Sequence, residues 1–295
     1  MYQFLALISG IIIAIMVTIN GGLTTVYGVY TATVLIHIVG VISAFIMLKI
    51  SKQNPFPKIK LPLWLYTGGA VGMLTPLFLN FSFGKISITA MVALSLFAQM
   101  MVSLVFDIFG LLGLKKTPIQ KNNLPGIIFA IVGISIMMIG GESGTIFAVL
   151  LALGSGVSIV IARMINAQLA EHITDLSGSF INHWVGLQTI FLAFLIFGFS
   201  EIQNINLQEI VKLPLWTYLG GTLGVIVVLL CNKITLKLPA FQLTLLTFIG
   251  QIFTGIIIDL ILKNTYSMQT FYGTLIVSIG ISINIALQSF NKREH

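Results

Sequence analysis

The chain has 295 residues, of which 57% are hydrophobic and 8% are charged, whereas a soluble domain carries roughly 25% charged residues. This composition excludes an ordinary soluble domain, because such a chain cannot cover its apolar surface in water. The formal net charge is +7, but the basic residues stand in short clusters between apolar runs, which favours a membrane protein and argues against a nucleic-acid partner. A single cysteine, Cys231, excludes an internal disulfide and a cysteine-based metal site.

Apolar runs follow one another along the chain, each bounded by charged residues, Pro, Asn or Gly. A helix crosses a bilayer with about 20 apolar residues, because its backbone hydrogen bonds are satisfied internally. The first run has no basic segment before it, so we interpret it as a span and not as a signal peptide. We predict an all-α integral membrane protein with ten transmembrane helices, at about 2–20, 30–48, 62–81, 87–112, 124–140, 145–165, 177–198, 213–232, 240–262 and 270–289.

The basic residues divide unevenly if these spans alternate in direction. Twelve of the 15 Lys and Arg residues fall on one side, with Arg163 counted in the connection after the sixth span, and Lys85, Lys212 and Lys263 fall on the other. Cytoplasmic loops are enriched in Lys and Arg. We therefore predict that both termini are cytoplasmic.

The sequence also repeats itself. Residues 61–72 (LPLWLYTGGAVG) reappear as residues 213–224 (LPLWTYLGGTLG), an offset of 152. We predict two repeats of five helices each, at residues 1–143 and 144–295. Because five is an odd number, the second repeat enters the membrane from the opposite side, and such inverted repeats are typical of secondary transporters. Further polar residues pair at similar offsets, namely Asn20 with Asn166, His37 with His183, Gln99 with Gln251 and Asp107 with Asp259.

A family resemblance follows from this pattern. Ten helices in a 5+5 inverted repeat, few charges and the Gly-Gly-x-x-Gly segments at 68–72 and 220–224 resemble the drug/metabolite transporter superfamily. A more specific pattern is similar to a bacterial subfamily known only as a domain of unknown function, here in fused tandem form. The pattern consists of Ser9-Gly10 with Asn20-Gly-Gly-Leu23, of Asn166-Ala-Gln-Leu169, and of a His in the second helix of each half. The resemblance implies a multi-pass protein of the bacterial cytoplasmic (inner) membrane with a small-molecule substrate. The small multidrug-resistance branch couples protons through an acid in its first helix, and residues 1–20 contain no Asp or Glu, so we do not expect drug-cation antiport by that route.

Polar residues form one stripe on the fourth span and one on the ninth. Small residues at four-residue spacing serve close helix packing, but a Gln near the bilayer middle is more typical of a pathway. For the Gln pair the alternative is an interhelix hydrogen bond, and for the Asn pair it is C-capping of a helix. The candidate substrate-pathway residues are Gln99, Gln251, Ser95, Ser103, Thr247, Asn20 and Asn166.

Four titratable residues are candidates for coupling or gating: Asp107, Asp259, His37 and His183. The two acids lie about 12 Å from the predicted midplane, so solvated helix ends are the alternative. A carboxylate that becomes protonated as the conformation switches would couple transport to protons. The two imidazoles suit either proton relay or a structural bridge between helices. We predict that Gly68, Gly72, Gly220 and Gly224 form helix-packing faces.

Together these features predict a secondary transporter of a small polar or amphipathic metabolite that works by alternating access, with proton coupling left open. The alternatives are an intramembrane enzyme for a lipid or isoprenoid, whose candidate cluster would be Arg163, Glu171, His172 and Asp175, and a non-transporting structural subunit. No Walker A or metal-ligand motif is present, so we expect no enzyme activity, metal or cofactor. The expected partners are the substrate and the lipid bilayer. The sequence does not determine the oligomeric state, and a homodimer is one of the alternatives.

Overall fold

The computed structural model describes residues 1–56, 59–82, 85, 88–113, 116, 124–139, 146–205, 207–261 and isolated positions between 268 and 287. Every regular element among these residues is helical. The α-helices are α1 (Tyr2–Tyr27), α2 (Val29–Ile50), α3 (Gly68–Gly72), α4 (Leu74–Ser82), α5 (Ile88–Phe109), α6 (Leu124–Met138), α7 (Ile146–His172), α8 (Asp175–Ala193), α9 (Leu207–Lys212), α10 (Gly220–Thr235) and α11 (Ala240–Ile261). Short 3-10 segments cover Leu63–Tyr66, Leu111–Gly113, Phe199–Asn204 and Leu215–Leu219, and a π-helical turn covers Phe194–Gly198.

Six helical segments among these residues are long and apolar enough to cross a membrane: Tyr2–Tyr27, Val29–Ile50, Ile146–His172, Asp175–Gln203, Leu215–Thr235 and Ala240–Ile258. Two shorter apolar helices cover Leu94–Phe109 and Leu124–Gly133. The protein is therefore a multi-pass membrane protein. The tenth predicted span, at 270–289, lies largely outside the described residues, so the count of ten stays a prediction.

The third predicted span is not one continuous helix. The 3-10 segment Leu63–Tyr66, α3 and α4 follow one another with breaks at Thr67 and Met73. Pro76 in the first turn of α4 has no N–H to donate to the Gly72 carbonyl, and its ring crowds that carbonyl. The equivalent residue of the second repeat is Val228, and α10 runs unbroken through it. Pro76 thus explains the break at Met73, which has no counterpart in α10.

Several predicted helix ends are wrong. Helix α1 continues to Tyr27 and α7 continues to His172, seven residues beyond the predicted ends at 20 and 165. The polar segment after the seventh span, predicted as a loop, contains the turn Phe199–Asn204 and α9. The prediction ends a membrane span at a polar residue, whereas within a bundle a polar side chain can face other helices and the span can continue past it.

Helices from the two predicted repeats pack against each other in matching pairs. Helix α1 packs against α11, α7 packs against α5, and α2 packs against α8. Gly10 of α1 lies against the backbone carbonyl of Thr247, and Gly156 of α7 lies against that of Ser95, so a Cβ at either glycine would collide with backbone. These close contacts fix the relative positions of the residues described next.

Candidate functional site

Two histidines meet where α2 and α8 pack. The ring centroids of His37 and His183 are 6.0 Å apart, and both residues are buried. Each Nδ1 lies 2.9 Å from the carbonyl oxygen four residues earlier, that of Thr33 and that of Ser179. Since a carbonyl oxygen accepts but cannot donate, Nδ1 carries the proton on both rings. The Nε2 atoms are therefore the ones that can accept a further proton.

Glycines on the facing helices make room for both rings. A Cβ at Gly40 would collide with the His183 ring, and a Cβ at Gly186 would collide with the His37 ring. The arrangement is reciprocal, since each repeat supplies one histidine and also the glycine that faces the histidine of the other repeat. Two charged rings 6.0 Å apart would repel by about 3 kcal/mol at an effective dielectric constant of about 20. Simultaneous protonation of both rings is therefore unfavourable.

The asparagines Asn20 and Asn166 lie inside α1 and α7, so the C-capping interpretation is wrong. Asn166 donates from Nδ2 to Oδ1 of Asn182 at 2.7 Å. A Cβ at Gly68 would collide with Oδ1 of Asn166, and one at Gly220 would collide with Oδ1 of Asn20. In the described part of the chain, the buried Oδ1 of Asn20 has no hydrogen-bond partner. Both asparagines are thus interior residues at matching crossings.

The second glycine of each predicted packing face also lies beside a polar side chain. A Cβ at Gly72 would lie 3.3 Å from Oδ1 of Asn182, and one at Gly224 would lie 3.1 Å from Nε2 of His183. These glycines therefore give the helices space for interior polar groups. Their predicted role as helix-packing faces stays a prediction.

The polar stripe of α5 faces the protein interior. Gln99 is 3% exposed, and Ser95 accepts a hydrogen bond from Ser155 at 2.8 Å. Ser103 and Thr244 share a hydrogen bond of 2.8 Å between their hydroxyl groups. The stripe thus joins α5 to α7 and to α11.

The equivalent stripe of α11 is less completely buried. Thr247 is buried and donates to carbonyl oxygens of its own helix, whereas Gln251 is half-buried. That Gln99 and Gln251 line one shared pathway stays a prediction.

Asp107 lies in the interior and binds the start of α11. It is 4% exposed, and its two carboxylate oxygens accept the backbone N–H groups of Ala240 and Phe241, each at 2.8 Å. The alternative of a solvated helix end is therefore wrong for Asp107. Its predicted counterpart, the side chain of Asp259, lies outside the described residues.

Arg163 is a buried residue that the prediction counts with the connection after the sixth span, although the predicted span at 145–165 contains it. It lies inside α7, is 6% exposed, and donates from Nη2 to the Thr244 hydroxyl at 2.9 Å. The sequence carries a signal for this placement, because Ile161, Ile165 and Leu169 continue the apolar periodicity of the helix on both sides of Arg163. With Arg163 inside a helix, the count of basic residues that supports the orientation loses one member.

Glu201 is a second residue that sequence reasoning missed. Its carboxylate accepts the backbone N–H groups of Val29, Tyr30 and Thr31 and the Thr31 hydroxyl, at 2.8 to 3.2 Å. It therefore binds the N-terminus of α2 to the segment that follows α8. We call this contact the Glu201 clamp. An acid in a predicted polar loop carries no sequence signal for such a distant partner.

The residues of the alternative enzyme site are not brought together around one point. Glu171 and His172 are exposed at the end of α7, about 12 Å along the helix from Arg163 at 1.5 Å per residue, and Arg163 is buried. In the residues that the structure describes, no group of three or more His, Cys, Asp or Glu side chains could hold a metal ion.

Comparison with known proteins gives a family match and a fold match. The family model described as "Putative inner membrane exporter, YdcZ" matches residues 1–136 and again residues 147–283. No curated protein matches the chain. A solved structure described only as "Crystal structure of protein" is similar over 97% of this chain and 96% of its own, with a TM-score of 0.66 and 12% identity. At that identity the likeness concerns the fold alone.

Proposed function

Since the chain belongs to the DMT_YdcZ family of inner membrane exporters, we propose that it exports a small polar or amphipathic metabolite by alternating access. The protein is a membrane transporter of the drug/metabolite type by this membership. The proposal adds the mechanism and the substrate class. It further places both termini in the cytoplasm, as the distribution of basic residues indicates.

We place two inverted five-helix repeats, at residues 1–143 and 144–295, at the centre of this mechanism. The observation that carries the proposal is the reciprocal packing of His37 against Gly186 and of His183 against Gly40. Contacts that are equivalent in the two repeats allow each repeat to adopt the conformation of the other, and this exchange opens the two sides alternately. The matching contacts of Gly10 and Gly156 support the same arrangement.

The histidine pair is the proposed proton-coupling site. It lies where the two repeats meet, it is buried, and its Nε2 atoms are free of the helix carbonyls that bind Nδ1. A proton taken up there would alter the contact between α2 and α8, which is the contact that alternating access must change. Proton binding and the conformational switch would thus be linked.

Asp107 has a proposed gating role through the helix that it binds. Its carboxylate holds the first two backbone N–H groups of α11, where a negative charge is favourable. Release of this contact would free the N-terminal end of α11. The matching role of Asp259 stays a prediction from the sequence.

Counterflow of a radiolabelled metabolite panel into proteoliposomes tests the transport function. We expect at least one metabolite to exchange saturably, and His37→Gln and His183→Gln to remove the dependence of flux on pH. The control is His172→Gln, because His172 is exposed at the end of α7. Absence of flux for every metabolite would contradict transport. An unchanged pH profile in both buried-histidine variants would contradict proton coupling.

The non-transporting subunit and the lipid enzyme are the outcomes that this experiment separates from transport. A reconstituted, folded protein that moves no metabolite favours a subunit. Turnover of a lipid or isoprenoid without flux favours the enzyme, although its candidate residues are not assembled around one point in the described structure.

A further inference from the structure

Arg163 places a positive charge inside the membrane-spanning helix α7. It is 6% exposed and lies nine residues before the helix end at His172, about 13 Å along the axis. A charged side chain at such a depth is costly and normally faces a partner or a water-filled pathway. The position of Arg163 therefore requires a partner for its charge.

The hydrogen bonds of Arg163 within the protein leave its guanidinium incompletely paired. Nη2 donates to the neutral Thr244 hydroxyl at 2.9 Å. The buried Nε has no hydrogen-bond partner in the described part of the chain. No carboxylate there lies within 4.0 Å of Arg163, since the ion pair found among those residues joins Lys212 to Glu209. A guanidinium has five N–H donors in a planar fork, so the site has unused donors.

Asp107 balances this charge at a distance without occupying the fork. The Asp107 carboxylate is within electrostatic range of Arg163. Both Asp107 oxygens, however, accept backbone N–H groups at the start of α11. Asp107 is therefore a charge partner at a distance, and its oxygens are already used by the backbone of α11.

We propose that Arg163 binds an oxyanion of the exported metabolite, a carboxylate or a phosphate group. Guanidinium groups bind both oxyanions through two parallel N–H···O bonds. The hydroxyls of Thr244 and Ser103, which already form a chain from Arg163, supply further hydrogen bonds. The site lies where α5, α7 and α11 meet. This inference rests on the proposed export function and adds the charge of the cargo.

Arg163 belongs to one repeat alone. The equivalent position in the first repeat, at the offset of 146, is Val17. The histidine and glycine contacts that link the two repeats occur in matching pairs, whereas a cargo site needs no symmetric copy. The single arginine thus gives the bundle one oxyanion site and not two.

Binding to the purified full-length protein tests the inference. Thermal unfolding is followed with a panel of small carboxylates and phosphate monoesters, each beside its neutral amide or alcohol analogue. We expect at least one oxyanion, and none of the neutral analogues, to raise Tm saturably. Arg163→Gln should weaken that binding at least about tenfold, as loss of a charge-assisted hydrogen bond predicts. The control Lys212→Gln, which removes an exposed charge, should leave the binding unchanged.

Two further variants keep the test decisive if Arg163→Gln does not fold. Arg163→Lys keeps a charge but loses the fork, and Thr244→Val keeps the charge but loses one hydroxyl, so both should weaken oxyanion binding. The inference is overturned if no oxyanion stabilises the wild type, or if these variants bind it as tightly as the wild type. Saturable flux of a neutral or cationic metabolite that oxyanions do not inhibit would leave the exporter standing and reject the oxyanion site. Oxyanion binding without flux of any metabolite would do the reverse.

Discussion

The Glu201 clamp makes a prediction about stability that the structure specifies closely. One carboxylate oxygen accepts the N–H groups of Val29 and Tyr30, and the other accepts the N–H and hydroxyl of Thr31. In Glu201→Gln one of these oxygens becomes an NH₂ group. That group cannot accept a backbone N–H, although it can donate to the Thr31 hydroxyl if it lies on that side. The variant therefore loses at least one hydrogen bond to a backbone N–H and the negative charge at the N-terminus of α2.

The expected cost follows from these losses. A hydrogen bond to a charged group contributes about 1.5–3 kcal/mol when buried, and less at a half-buried residue such as Glu201. One such bond at about 1–1.5 kcal/mol and the charge at the helix N-terminus at about 0.3–1 kcal/mol give about 1.3–2.5 kcal/mol of lost stability. For a chain of this size we expect Tm to fall by about 5 °C. Because the clamp joins the first repeat to the segment after α8, unfolding should begin more readily at this contact.

The matched control is Glu209→Gln. Glu209 lies on α9, its side chain is 53% exposed, and it forms only a 4.0 Å ion pair with Lys212. Surface pairs of this kind contribute little. Thermal unfolding of both variants in the same detergent, followed by intrinsic fluorescence, makes the comparison. Equal Tm values for the two variants would refute the reasoning from the clamp.

Three further predictions concern the interior and the orientation. Gly40→Ala and Gly186→Ala each put a methyl group against the opposite imidazole, so we expect both variants to lower Tm and flux. The control Gly22→Ala should change neither, because a Cβ at Gly22 meets nothing within 4 Å. Similar behaviour of the three variants would contradict the reciprocal histidine packing. Asp107→Asn keeps one acceptor oxygen for two backbone N–H groups, so Tm should fall and the pH profile of flux should change, and a wild-type profile in proteoliposomes would exclude a coupling role. With Cys231 replaced by Ser, Ser51→Cys should be protected from an impermeant thiol reagent in intact cells and Lys212→Cys should react, while the opposite pattern would reverse the proposed orientation.

The sequence was sufficient for the features that depend on similarity and hydropathy. It predicted a helical membrane protein and a resemblance to the drug/metabolite transporter superfamily, and the family match confirms the resemblance. It also paired His37 with His183 through the repeat, and these two rings lie close together in the structure. The inverted ten-helix arrangement itself stays a prediction.

Features that depend on the contents of the bundle were not predictable in the same way. The prediction ends spans at or next to Asn20 and Asn166 and counts Arg163 with a connection, because polarity normally marks the end of a span, yet all three are buried within helices. The break between α3 and α4 follows from Pro76, which the second repeat replaces by Val228. The partners of Asp107 and Glu201 are distant in sequence, and no local pattern identifies them.

The alternating movement of two repeats is the central claim, and distances between spin labels at the two ends of the bundle test it most directly. One pair of labels replaces Lys49 and Lys237, and the other replaces Lys85 and Lys212, all of which are exposed; each pair has one label in each repeat. The proposed orientation places the first pair at the cytoplasmic end and the second at the outer end. Pulsed electron-spin measurements in liposomes at neutral and acidic pH should show that one distance lengthens as the other shortens. Distances that stay fixed, or that lengthen together, would contradict alternating access by inverted repeats.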